Sequence, residues 1–459
     1  MKTIPMNSPP DNNRYRNVDG ILKVVEDKLC HRCGACIGLC PVSTFGIDRN
    51  GYPMQIDDCI ECNICVQSCS GLGVDYNTIG ERMYGQEYTY GDMMGPVIGA
   101  CVAHAVDETI RNNAASGGVV TQLFDYLLES GQIKGAIVVV EDPENPAMGK
   151  GIVARTREEL LQSQQSRYTT SPHLHILNTI HEEEGPFALV ALPCQIHSLR
   201  KRQMVDPRWT KKIPIIIGLL CHYSLPMSST EEAAALLAPP GTSLAHTRYR
   251  QRDERGWPFN TLEMTFSDGS VWRSPYGPAQ TFNVISRISP LGRCLQCLDA
   301  AAEFSDISIC DPWIRDERGN WKYEEPEGFS GVLIRTKQGA AVVEKAVAAG
   351  RLSAKAIPPE EIRSGQQQMM VEKKLRTAFR IDVRRKLKMA VPSYPMEFAP
   401  HQRKVIVHEV LFWFMRLIPA FKPIRGFFLQ LGFSRVGRYL IDRRMKRRER
   451  RAAAGKPAV

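Results

Sequence analysis

At 459 residues the chain is too long for one small core and suits two or three domains, and its 43% hydrophobic and 24% charged content is ordinary for a globular protein. No apolar run reaches the ~20 residues that a bilayer-spanning helix needs. The net charge of +10 is confined to one end: residues 396–459 hold 15 Lys and Arg against 4 Asp and Glu, while the other 395 residues hold 44 against 45. A neutral body gives no basis for nucleic-acid binding, so that class is set aside.

Residues 1–19 open with MKTIPMNSPPDNNRYRN, which is polar and proline-bearing and reads as a disordered lead without a signal peptide. From 20 to 75 the chain carries two copies of one cysteine pattern. The first is Cys30, Cys33, Cys36 and Cys40, followed by Pro41; the second is Cys59, Cys62, Cys65 and Cys69, followed by Ser70. Each reads C-x2-C-x2-C-x3-C, the ligand run of a bacterial two-cluster ferredoxin, in which the fourth cysteine serves the other cluster. Cys30, Cys33, Cys36 and Cys69 are therefore assigned to one 4Fe-4S cluster, and Cys59, Cys62, Cys65 and Cys40 to the other. Zinc ribbons use paired CxxC without this third and fourth cysteine, and disulfides need an oxidising compartment. Residues 76–96, rich in Gly, Tyr and Met, read as a linker.

An α/β body is expected over 97–395. Residues 97–105 form a short apolar strand, and Val119, Val120, Leu123, Phe124, Leu127 and Leu128 recur at helical spacing over 118–129. AIVVV (136–140), FALVAL (187–192) and IPIIIGLL (213–220) read as buried strands. Continuous apolar strands alternating with helices predict a mainly parallel, covered sheet. Ligands collect at the carboxyl ends of such strands, and two of these end on Cys194 and Cys221. TLEMTFSDGSVWR (261–273) alternates like hairpin strands, and 360–388 reads as a charged helix. Cys294 and Cys297 form a CxxC and, with Cys194 and Cys221, are candidates for a further cluster, although alone a CxxC with scattered thiols is more often zinc or packing than iron–sulfur. Cys101 reads as core, Arg200 as part of a solvated helix face, and His197 as a residue tuning whatever Cys194 binds. Ser116, Gly117 and Gly118 open a helix, either as an ordinary cap or as a phosphate loop.

Six ordered motifs carry a resemblance: NAASGGVVT (113–121), SRYTTSP (166–172), LPCQIH (192–197), GLLC (218–221), CLQC (294–297) and SDIS (305–308). Over about 97–390 the chain resembles the beta-subunit family of coenzyme F420 hydrogenases and dehydrogenases, to which plant 7-hydroxymethyl chlorophyll a reductase is related. The resemblance implies α/β architecture (α+β overall), FAD beside a third 4Fe-4S cluster, and Cys194, Cys221, Cys294 and Cys297 as its ligands. It also implies that Ser116, Gly117, Gly118, Arg167 and Tyr168 contact the flavin. The chain departs from the family's usual glycine at Cys310, which reads as a small buried residue or a competing ligand. No GxGxxG lies between a strand and a helix, so no dinucleotide fingerprint is predicted. The implied activity is an iron–sulfur flavoprotein oxidoreductase. It would couple two-electron chemistry on a small organic substrate or reduced F420 to one-electron exchange with ferredoxin or a redox subunit. The alternative is a non-catalytic electron-transfer subunit.

The tail, 396–459, begins with apolar stretches VIVHEVLFWFMRLI and IRGFFLQLGF, and residues 435–451 then carry nine basic and two acidic side chains. It reads either as an amphipathic segment lying on an anionic membrane or as a helix docked on the body with a solvated basic end. The expected location is the cytoplasm, at the inner face of the membrane under the first reading.

Overall fold

The computed structural model describes residues 14–289, 291–417 and 421–443. The expected disordered lead lies mostly outside the described residues, and a helix already begins at Asn17, running to Glu26. At the centre is an eight-stranded sheet. Its order is Leu352–Ala356, Gly99–Ala105, Ser330–Ile334, Ile307–Cys310, Ile215–Leu219, Phe187–Ala191, Gly135–Glu141 and Gly149–Ala154. The four strands starting at 135, 187, 215 and 307 are mutually parallel. The remaining four pairings are antiparallel, so the sheet is mixed rather than mainly parallel. An apolar run reports that a strand is buried and leaves its direction open. Three strands run against the parallel four: the two edge strands, with polar letters such as LSAKA and GKGIVA, and the interior strand Ser330–Ile334.

The helix predicted over 118–129 is Val119–Glu129, and it lays Val119, Leu123, Phe124 and Leu127 on the sheet at helical spacing. Each such fully buried side chain contributes about 1.5–3 kcal/mol. The alternating middle segment forms a three-stranded antiparallel sheet, Leu244–Gln251, Thr261–Phe266 and Val271–Arg273, followed by the helix Pro278–Ile288. The charged segment near 360–388 is helical from Pro359 to Lys386, interrupted by a π-turn at Glu372–Arg376.

Residues 76–96 are not a free linker. They contain the helix Tyr76–Tyr84, and Tyr76, Tyr88 and Met94 are buried. Their hydroxyls hold partners far along the chain: Tyr84 donates to the Glu303 carbonyl, Tyr88 to the Glu303 carboxylate at 2.7 Å, and Tyr90 to the Lys374 carbonyl at 2.6 Å. Burial pushes Glu303 up to about 7 against the pull of Lys374, 2.5 Å away. The cysteine-rich module is fused to the body in the same way. Ala35 and Leu39 share one apolar core with Ile137, Leu189 and Ile216. A Cβ on Gly38 would meet the Leu174 carbonyl at 1.8 Å, so only glycine permits this approach.

Candidate functional site

The two cysteine copies fold alike. Arg32 and Glu61, each two residues past the first cysteine, have φ of 58° and 57°, and Gly34 and Asn63 have φ of 83° and 61°. Each left-handed pair turns the chain back on itself and aims amides inward. The Arg32 amide donates to the Cys30 sulfur and the Glu61 amide to the Cys59 sulfur, both at 3.3 Å, and the Thr44 amide to the Cys40 sulfur at 3.4 Å. Amides aimed at sulfur favour thiolate and tune a bound cluster. A short helix follows in each copy, Ala35–Gly38 and Ile64–Gln67, and delivers the fourth cysteine.

The thiols fall into groups. Burial raises Cys36 most, and Cys30, Cys33, Cys69 and Cys65 then press on it in that order. Cys30 is likewise raised by burial and by Cys33 and Cys69. Burial pushes Cys65 up to about 12, and its thiol neighbours are Cys62, Cys40 and Cys69. Cys40 thus lies near the second copy, and Cys69 near thiols of both copies. A third group surrounds Cys194, which is raised by burial and then by Cys33, Cys297, Cys294 and Cys221. Cys33 therefore stands between the first group and the third. The Ser198 hydroxyl lies 3.6 Å from the Cys33 sulfur and accepts the Ser70 amide at 3.2 Å. A proline at 70 could not donate that bond, which accounts for serine where the first copy has Pro41.

Among the described residues, no three Cys, His, Asp or Glu side chains converge as ligands of one metal ion. Cys310 is raised by burial, with Asp311 and Gln366 as its neighbours and no thiol among them. It belongs with the wall of the adjoining cavity. Cys101 is core, as expected.

The third group is held by buried cations. Arg293 donates to the carbonyls of Gly71 (3.2 Å), Ser70 (3.4 Å) and Gln296, tying the module to the CxxC. Lys373, fully buried in the π-turn, donates to the Cys294 carbonyl at 2.9 Å. Burial pushes Cys221 up to about 12, with Lys373 the strongest charge pulling it back. π-turns inside helices recur at functional sites, because the extra residue rotates side chains out of register. Here the turn buries both Lys373 and Lys374.

Beside this group a cavity of about 460 Å³ opens at the carboxyl ends of the parallel strands. That size suits a small molecule or cofactor. Cys221 and Cys310 form part of its wall, as do Ser116, Gly118, Arg167 and Tyr168. Gly118, at φ 76°, precedes the Val119–Glu129 helix, whose start has no side-chain cap and lies on the cavity. Uncapped amides there suit an anion. Arg167 donates to the Thr247 carbonyl at 2.9 Å, and Tyr168 packs on Tyr249 and Phe282. The cavity wall also holds buried polar atoms without protein partners: Gln164 Oε1, Arg167 Nε and Ser171 Oγ. Such atoms cost free energy unless a ligand or water meets them, so this lining fits a polar cofactor such as a flavin.

Gly117 departs from the expectation. It does not line the cavity, and its amide is spent on the Ser330 hydroxyl at 3.2 Å. Its missing side chain serves packing, because a Cβ would meet the Ala103 carbonyl oxygen and the Ser330 nitrogen at 2.7 Å. Gly117→Ala should cost about 1–3 kcal/mol in urea unfolding, from overpacking. Arg200 is also corrected: it is buried, paired with Asp306 at 3.0 Å, because its helix is covered on that side by the 304–306 segment. His197 is buried against Asp299 at 3.0 Å. Burial acts to raise Asp299, but the His197 hydrogen bond and charge hold it below the usual carboxylate range. Sequence reading missed His173, Arg250, Asp311 and Trp313 in the cavity wall. The Thr-Thr-Ser run beside His173 was the available signal for the first. The Arg250–Asp311 pair, at 2.6 Å, joins residues too far apart in sequence to leave one.

Comparisons with known proteins agree with this architecture. Residues 100–178 match the N-terminal model of the coenzyme F420 hydrogenase/dehydrogenase beta subunit, and residues 186–360 match its C-terminal model. The chain is 28% identical over 280 residues to the coenzyme F420 hydrogenase subunit beta of Methanosarcina barkeri, covering 59% of this chain and 86% of the relative. It is 25% identical over 341 residues to the coenzyme F420-dependent sulfite reductase of Methanocaldococcus jannaschii, covering 70% of this chain. It spans about half of that relative's length, 46%. A chain of the F420-reducing NiFe hydrogenase complex from Methanosarcina barkeri shares the fold, with a TM-score of 0.50, 24% identity, and coverage of 64% of this chain and 94% of that one. With the two models together spanning more than half of its length, this chain belongs to the coenzyme F420 hydrogenase/dehydrogenase beta-subunit family.

Proposed function

We propose that this chain is an iron–sulfur flavoprotein oxidoreductase. In this reading residues 20–75 hold two 4Fe-4S clusters, and the 97–395 body holds a third with FAD. The observation that carries it is the order of the thiols. Cys62, alone among the fourteen cysteines, is exposed; the groups then pass inward through Cys65 and Cys33 to Cys194, and Cys221 reaches the cavity wall. Bound flavin would supply the exchange between one- and two-electron carriers. The chain's own residues do the rest. The start of the Val119–Glu129 helix and Arg167 would hold the anionic part of the cofactor, while Tyr168 presents an aromatic wall. Lys373 fixes a positive charge beside the third thiol group.

Several partners fit this arrangement. The cysteine-rich module that exposes Cys62 also exposes Met54, Ile56 and Ile60, which suits docking of ferredoxin or a redox subunit. Reduced F420 or another small organic substrate would use the cavity. A purely electron-transferring subunit is the second reading; the exposed module end favours it equally, whereas the cavity with its partnerless polar atoms favours catalysis.

The test is anaerobic purification followed by metal analysis, acid release of flavin, and addition of reduced F420 or reduced ferredoxin. About twelve irons and one FAD per chain, with the spectrum bleached by one of the donors, is the expected outcome. About eight irons without flavin supports the electron-transfer subunit, and zinc in place of iron overturns the redox reading. Lys373→Gln should lower the midpoint potential of the third cluster in an EPR-monitored titration, because a removed positive charge disfavours the reduced form. An unchanged midpoint would show that this lysine serves packing alone.

A further inference from the structure

We infer that the C-terminal helices dock this protein on an anionic lipid bilayer. The inference rests on an inversion of the usual helix pattern and is independent of the redox reading. A helix on a globular body turns its apolar stripe inward and its polar face to water. The helix Arg403–Leu417 does the opposite. Its inward stripe is Val405, Glu409, Phe412 and Arg416, at helical spacing. Glu409 is fully buried against Arg380 at 2.6 Å, and Arg416 donates to the carbonyls of Ser286 (3.2 Å) and Ser289. Its exposed side instead presents Val407, Leu411, Trp413, Phe414 and Met415.

The next helix, Lys422–Phe433, continues the surface. It seats Leu429 and Phe433 on the body, Phe433 meeting Trp272 edge-on at 5.3 Å, and exposes Phe421, Ile424 and Phe427. Residues 435–443 are again helical and expose Val436, Tyr439 and Leu440. The body thus already holds these helices by their other faces. The apolar side is left over, larger than scattered exposure produces.

Charge selects the occupant. Arg403, Lys404, Arg435, Arg438 and Arg443 are exposed, and the sequence continues with six further Arg and Lys up to Arg451. Of the two carboxylates in 403–443, Glu409 faces inward, which leaves Asp442 as the exposed one. A second copy of the chain would bring like charges together. Nucleic acid would meet an aromatic and aliphatic face instead of phosphate ligands. An anionic bilayer satisfies both halves: Trp, Phe and Leu enter the headgroup boundary while Arg and Lys meet the lipid phosphates. Among the described residues no helix is long and apolar enough to cross a membrane, so the contact lies in the plane of the interface.

The test uses the full chain with sedimented vesicles of phosphatidylcholine alone and of a phosphatidylcholine–phosphatidylglycerol mixture. The wild-type chain should pellet with the mixed vesicles, far less with the neutral ones, and less again at high salt. Phe414→Glu with Phe427→Glu should weaken binding roughly tenfold or more. Both residues are more than 60% exposed, so the unfolding midpoint should stay unchanged. A readout that needs no destabilising variant is quenching of tryptophan fluorescence by lipids brominated on the acyl chain. It should occur in wild type and be lost in Trp413→Phe. A wild-type chain left in the supernatant overturns the inference. So does a dimer in light scattering that the double variant dissolves while vesicle binding is absent, or vesicle binding that the double variant leaves unchanged.

Discussion

In the proposed three-cluster reading, Cys194→Ala should remove about four of about twelve irons and leave about eight, in a chain that still folds. Cys194 is the residue on which the third group turns, since Cys297, Cys294, Cys221 and Cys33 all bear on its thiol. It sits at the second position of the helix Pro193–Val205, carried there directly from the strand Phe187–Ala191. Alanine keeps the helix and removes the thiol. The expected signature is loss of one EPR signal in the reduced protein, with the two signals from the cysteine-rich module retained. Cys310→Ala is the matched control and should keep all the iron, because Cys310 faces Asp311 and Gln366 rather than thiols. If Cys310→Ala loses the four irons and Cys194→Ala keeps them, the ligand set is wrong at that position.

Arg380→Met should destabilise the chain by about 3–5 kcal/mol at neutral pH, the typical cost of leaving a buried charge without its partner. Arg380, 3% exposed, meets Glu409 through Nε at 2.6 Å and Nη2 at 3.0 Å, and Glu372 at 3.3 Å. Methionine fills similar space and strands Glu409, while Glu372 keeps His222 at 3.1 Å and Arg376 at 3.6 Å. Urea unfolding gives the size of the loss, and trypsin should release the segment beyond residue 396 before the body is cut. Adding Glu409→Leu should recover a large part of the loss. Burial acts to raise Glu372, but hydrogen bonding and charge from His222, with Arg380 behind them, hold it far below the usual carboxylate range. A carboxylate depressed in the folded state contributes stability above its unfolded pKa and loses it on acidification. The gap between wild type and Arg380→Met should therefore narrow as pH falls below the ordinary glutamate range.

Short-range chemistry was readable from the residues. The doubled cysteine run reports its own loop geometry, because the turns at Arg32 and Glu61 and the amide–sulfur bonds are set within a few residues. The strands ending near Cys194 and Cys221 announced themselves as unbroken apolar runs. What escaped depends on partners distant in sequence. Residues 76–96 have a linker's composition, and only Glu303 and Lys374, more than 200 residues on, make their tyrosines structural. Arg200 looks like a surface residue until Asp306 is brought beside it. Gly117 was read for its amide, whereas the close approach of the strands Gly99–Ala105 and Ser330–Ile334 demands its missing side chain. The tail offered both readings because the docked stripe of its first helix carries Glu409 and Arg416 while its free face is apolar, and composition cannot tell which side is covered.

The cysteine-rich module and the body share one core through Ala35, Leu39, Ile137 and Leu189, with Gly38 pressed on the Leu174 carbonyl. A tethered carrier would have to swing between donor and acceptor, and its turnover would slow in viscous solvent. Here nothing can swing. The spacing between successive redox centres in the proposed reading is fixed when the chain folds, so internal electron passage should be indifferent to glycerol, and only encounter with the outside partner should feel it. The same fusion makes the module hard to exchange, because a ferredoxin grafted from elsewhere would lose the fit of Gly38 against Leu174 and Leu177.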